Sequence, residues 1–155
     1  MDDLVREERE RFLSGLEKAG TIPLMDGLLP LLNSLTREQV PCWIASSSST
    51  EIISKVLRIN NLEQYFRAFV SGDDVERSKP DPEIFTRTAS LAGSPASACI
   101  VIEDSINGIR AARAAGMAVI ALNNRLLHKE DLAMAILVID SLVEISAEFL
   151  RKILM

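Results

Sequence analysis

From residue 40 onward the chain alternates short apolar runs of strand character with segments whose apolar residues recur at helical spacing. The runs fall at Val40 to Ala45, Ala68 to Ser71, Cys99 to Ile102, Ala118 to Leu122 and Ile136 to Ile139. Between them, Ile52, Ile53, Val56 and Leu57, or Ile84, Phe85, Thr88 and Leu91, are spaced to line one helix face. A strict alternation of this kind predicts an α/β fold with a parallel sheet covered by helices on both faces. Ligands of such sheets sit beyond the carboxyl ends of the strands. The unusual polar residues of this chain fall there.

Ahead of the alternation, residues 4 to 18 read as a highly charged helix, with Leu4, Val5, Phe12, Leu13 and Leu16 on a narrow apolar stripe and a stop at Gly20. "TIPLMDGLLPLLNSL" then joins it to a better packed helix, which places a junction near residues 20 to 27. With 155 residues and 48% hydrophobic content, the chain suits one compact domain with a real core. A net charge of −5 argues against nucleic acid as a partner, because phosphate backbones are held by clustered Lys and Arg. No apolar run approaches the roughly 20 residues of a membrane span. Cys42 and Cys99 sit in apolar segments as small hydrophobes and make no disulfide framework. A cytoplasmic protein whose partners are small molecules or protein is expected.

Three constellations follow strand-like runs. In "WIASSSSTEII", Ser48 and Glu51 have the spacing of a capping box, while Ser46 and Ser47 lie at the strand tip, where hydroxyl and N–H groups can take an anion. In "SKPDPEIF", Asp81 and Pro82 suit a helix start, and Pro80 biases Lys79 towards extended backbone, aiming it at a phosphate or carboxylate rather than leaving a solvated surface charge. In "IVIEDSINGIRAARAAG", Glu103 and Asp104 end an apolar run ahead of a helix kept slim by Ala111, Ala112, Ala114 and Ala115. Adjacent carboxylates repel unless a cation or hydrogen-bond donors compensate. A hard cation such as Mg²⁺ fits, as does a helix N-terminus that favours negative charge.

Together, "KPDPEIF" and "IEDSINGIRAARAAGM" resemble the haloacid dehalogenase superfamily, in its phosphatase and β-phosphoglucomutase-like branch, over about Ile22 to Leu150. The resemblance implies a Rossmannoid three-layer sandwich, with residues 1–20 a remnant of a helical cap and 21–155 the core. It implies Mg²⁺-dependent phosphoryl transfer on a small phosphorylated metabolite, as a phosphatase or a phosphosugar mutase. Ser46 and Ser47 would bind the phosphoryl group, Lys79 would neutralise it, and Asp104 with Glu103 would hold Mg²⁺, making Lys79 and Asp104 the catalytic candidates.

The family's chemistry starts from an Asp nucleophile in a D-x-D-G-T type motif on its first, central strand, and this chain has no such motif. Asp2 and Asp3 follow no strand, and Asp26-Gly27 belongs to the connector. The chain is therefore expected to begin partway through the family's pattern, without the central strand. The strands ending at Ser46 and Ile102 would then pair directly or be separated by something else. Homo-oligomerisation, a missing N-terminal segment, or a non-catalytic phosphate-binding role would each suit such a chain. Serine hydrolysis is disfavoured, because there is no G-x-S-x-G elbow and the lone His128 lies in a polar turn.

Overall fold

The computed structural model describes residues 2–20, 22–124 and 127–154. Twelve elements position the site: α1 (Asp2–Ala19), α2 (Leu28–Arg37), β1 (Ile44–Ala45), α3 (Thr50–Ile59), β2 (Phe69–Val70), α4 (Glu83–Ala92), β3 (Ile100–Glu103), α5 (Ile106–Ala114), β4 (Ala118–Leu122), α6 (Lys129–Leu132), β5 (Leu137–Ile139) and α7 (Ala147–Leu154). The fold is α/β, as expected, and every strand pairing is parallel.

The central strand β4 shows why the layers form. Alternate side chains of a strand point to opposite faces, so Val119 and Ala121 pack with Ile84 and Phe85 of α4 and with Ile109 and Ala112 of α5. Ile120 and Leu122 meet Leu31 and Leu35 of α2 and Leu150 of α7 on the other face. Ala111 and Ala112 are fully buried, so the slim face of α5 lets that helix lie close on the sheet. Leu32, Ile53, Leu57 and Leu62 form a third cluster. In α1, which contacts α3, Leu13 is buried while Phe12 is exposed; the side chains of Leu4 and Val5 lie outside the described residues.

The strands do not form one sheet. β1 pairs with β2, and β3, β4 and β5 pair in that order, but no ladder joins β1 to β3 among the described residues. The first strand is accordingly shorter than Val40 to Ala45, beginning at Ile44. A ladder on one side only stabilises few residues, and both β residues remain half-buried. β3 is likewise half-buried along its length, whereas four of the five β4 residues are buried.

One local expectation is settled differently. Ser48 does not cap α3: the N-cap is Ser49, its hydroxyl makes no capping bond, and the Thr50 N–H donates instead to Asp73 Oδ2 at 2.8 Å. Asp73, from another loop, thus supplies the acceptor for the first amide of α3. Lys79 and Pro80 are the central residues of a turn in which the Asp81 N–H donates to Ser78 O at 3.1 Å, and the Lys79–Pro80 peptide is cis. The Asp81 reading holds, because the Glu83 N–H donates to Asp81 Oδ1 at 3.0 Å at the start of α4.

Candidate functional site

β1 delivers Ser46 to the carboxyl edge of the sheet, where the Ser46 N–H still donates to Val70 O at 3.0 Å. Ser46 Oγ accepts from the Ser48 N–H at 3.2 Å. A hydroxyl carries one proton, so a Ser46 oxygen engaged as acceptor leaves its O–H free to donate outward. The Ser47 N–H makes no hydrogen bond among the described residues. The strand tip thus presents one hydroxyl and one amide donor side by side.

Lys79 arrives from the turn before α4. Its Nζ donates to Ala45 O at 3.2 Å and to Glu103 Oε1 at 2.5 Å, and lies 4.8 Å from the centroid of the buried Phe85 ring. The Lys79 and Glu103 side chains are only 10% and 11% exposed, so the pair is held away from bulk water. Two of the three ammonium protons are committed and the third is available. Lys79 therefore meets the backbone one residue before Ser46 and the side chain one residue before Asp104. It crosses the interval between β1 and β3 that no ladder bridges.

The two adjacent carboxylates behave differently. Besides Lys79, Glu103 accepts from the Asp104 N–H at 3.2 Å, the Ser105 N–H at 3.2 Å and the Ser105 hydroxyl at 2.9 Å. Donors and a lysine cation thus compensate the charge that the sequence placed beside Asp104. The Asp104 carboxylate is exposed and has no partner among the described residues; only its backbone is engaged, the carbonyl accepting from Asn124 Nδ2 at 2.5 Å. Ser105 caps α5, its hydroxyl accepting from the Gly108 N–H at 3.0 Å. A Cβ at Gly108 would lie 2.0 Å from the Glu103 carboxyl carbon, so the absence of a side chain there admits the carboxylate to the helix.

Among the described residues no group of three or more His, Cys, Asp or Glu side chains is placed to hold a metal ion. Hard oxygens from one or two carboxylates nevertheless match what Mg²⁺ takes from a protein, the remaining ligands being water and substrate oxygens. Asp104 is free to serve, and Glu103 is already engaged. The cysteines stand apart: burial raises the thiol pKa of both Cys42 and Cys99, which removes them as neutral-pH nucleophiles. His128 begins α6 as an exposed N-cap residue. Sequence reasoning missed Ser105, Asn124 and Asp73. "SGDD" carried a usable signal for Asp74, the neighbour of Asp73, since a serine followed three residues on by an acidic residue resembles a capping box, and Ser71 and Asp74 form one.

Parallel strands flanked by helices, with hydroxyl, ammonium and carboxylate groups at the strand ends, define an α/β protein with a polar site at the carboxyl edge of its sheets. The chain belongs to the haloacid dehalogenase-like hydrolases, whose family model matches residues 2–116. It is 32% identical over 149 residues to the bifunctional riboflavin kinase/FMN phosphatase of Arabidopsis thaliana, covering 96% of this chain and 38% of that protein. It is also 32% identical over 122 residues to the validoxylamine A 7'-phosphate phosphatase of Streptomyces hygroscopicus subsp. limoneus, covering 78% of this chain and 56% of that one. Among solved structures, CbbY from Rhodobacter sphaeroides in complex with phosphate superposes with a TM-score of 0.88 at 27% identity, over 97% of this chain and 68% of that chain. The chain spans about half the length of the curated relatives it matches, 53% and 55% in two cases. No described helix is long and apolar enough to cross a membrane.

Proposed function

We propose that the chain carries the phosphate-binding and Mg²⁺-binding part of a phosphatase-type site for a small phosphorylated metabolite. In this reading the Ser46 hydroxyl and Ser47 N–H take phosphoryl oxygens, Lys79 neutralises their charge, and Asp104 holds Mg²⁺ first with Glu103 second. Residues 1–20 are the end of a helical cap on a core of residues 21–155. The observation that carries the reading is the seat of Lys79, whose ammonium touches both Ala45 O and Glu103 Oε1 and keeps one proton unused. A phosphoryl group beside Ser46 would meet that proton in a partly desolvated place, where charge-assisted bonds are stronger. Bound Mg²⁺ would supply Lewis-acid neutralisation of developing phosphoryl charge.

The chain has no D-x-D-G-T motif to supply the family's nucleophile. We therefore expect weak Mg²⁺ and phosphate binding by the 155-residue chain and no appreciable turnover of a generic phosphate ester. Losing the nucleophile of a covalent mechanism can cost about 10⁶-fold in rate. Titration calorimetry of wild type and Asp104→Ala tests the metal assignment, which unchanged Mg²⁺ affinity would overturn. Clear Mg²⁺-dependent turnover by the wild-type chain, abolished in Asp104→Ala, would overturn the expectation of inactivity. Fusing a strand that carries the aspartate motif ahead of Met1 should restore turnover.

A further inference from the structure

The turn Ser71–Asp74 lies behind the Ser46–Ser49 loop and carries an ordered set of contacts to it. Ser71 is fully buried. Its N–H and hydroxyl lie 2.8 and 2.6 Å from Asp74 Oδ2, and its Oγ lies 2.8 Å from Thr50 Oγ1. An ionised carboxylate only accepts, so the Ser71 proton points to Asp74 and the Thr50 hydroxyl must donate to Ser71. The chain Thr50 to Ser71 to Asp74 therefore has one direction. Beside it, the Thr50 N–H donates to Asp73 Oδ2 at 2.8 Å and the Gly72 N–H donates to Ser48 O at 2.9 Å. A Cβ on Gly72 would lie 2.3 Å from Ser47 O, so the turn and the loop touch backbone to backbone.

We propose that Ser71, Gly72, Asp73 and Asp74 are positioning residues for the anion-binding loop, fixing where the Ser46 hydroxyl and Ser47 N–H point. The inference rests on the phosphate reading above for its purpose, but its geometry stands independently. Ser48 is held through Gly72, and Ser48 in turn engages Ser46 Oγ through its own N–H. Asp73 occupies the first free amide of α3. An anion on this loop is thereby directed to the Ser46 hydroxyl and Ser47 N–H rather than to the helix end.

The test uses the full chain, amide hydrogen exchange followed by NMR, and inorganic phosphate as the probe. In Gly72→Ala and Thr50→Val, exchange of the Ser48 amide should speed by about tenfold or more, while the β4 amides of Val119 and Ile120 keep wild-type rates. The phosphate-induced shift of the Ser47 amide should weaken in the same variants. Thr50→Ser, which keeps the hydroxyl, should restore both readouts, as a general loss of stability would not. Wild-type exchange at Ser48 together with a wild-type phosphate shift in Gly72→Ala and Thr50→Val would overturn the proposal. If wild type itself shows no phosphate shift while the variants still lose Ser48 protection, the phosphate reading fails and the clamp stands.

Discussion

Lys79 and Glu103 form a tightly constrained pair, because both side chains are largely removed from water and each has further partners. Removing one member of a desolvated pair leaves the other charged and under-compensated, which costs more than removing both. A double-mutant cycle of Lys79→Met and Glu103→Gln should therefore show a coupling of about 1–3 kcal/mol by urea unfolding. A coupling near zero would mean that the contact contributes nothing beyond its separate parts. Asp74 supports a prediction in pH. The Ser71 hydroxyl, then the Ser71 N–H, hold its carboxyl below the ordinary value of 3.8, with a smaller contribution from Arg87. A depressed carboxyl contributes stability that is fully present above its unfolded pKa and is lost as pH falls through the lower folded value. Unfolding free energy should accordingly drop on acidification below 3.8, and Asp74→Asn should lose less over that interval. The Glu83 carboxyl, lowered chiefly by the Glu76 N–H, titrates in the same direction and leaves a residual slope in the variant.

At the scale of elements, α5 joins core and site on two of its faces. Ile109, Ala111 and Ala112 are fully buried against the sheet, while Gly108 faces the Glu103 carboxylate. Gly108→Ala should raise helix propensity, which by itself would stabilise by about 1 kcal/mol. The new methyl would instead meet the carboxyl carbon at 2.0 Å. Overpacking of this kind typically costs about 1–3 kcal/mol, so the variant should melt below wild type despite its better propensity. The displaced Glu103 should also release Lys79, and phosphate affinity should fall by more than the stability loss alone explains. A melting temperature at or above wild type, with phosphate binding unchanged, would show that the carboxylate moves aside freely.

Over the whole molecule, the division of strands into β1–β2 and β3–β4–β5 sets where protection against exchange should be high. The N–H groups of Ile44 and Ser46 donate to Ala68 O and Val70 O, so the intervening Ala45 N–H and C=O face away from β2. That carbonyl is the one Lys79 takes. Native-state exchange should therefore find the Ala45 amide among the fast group and Val119, Ile120 and Ala121, all fully buried, among the slowest. Slow exchange at Ala45 would mean that its edge is covered in solution. Much of this architecture was legible in the chain itself. The β–α alternation determined the class, and β4 spans Ala118–Leu122 as read, because a strand buried on both faces is a continuous apolar run bounded by Gly116 and polar residues. "KPDPEIF" and "IEDSINGIRAARAAGM" determined the family and nominated Ser46, Lys79, Glu103 and Asp104. Local pattern does not say which donor reaches a distant acceptor, and only tertiary structure decided that. It decided that Asp73 satisfies Thr50, 23 positions away, that Glu103 is compensated by Lys79, 24 positions away, and that no ladder joins β1 to β3 among the described residues. Each outcome is a competition between partners remote in sequence, settled by distance and desolvation once the sheets and helices have packed.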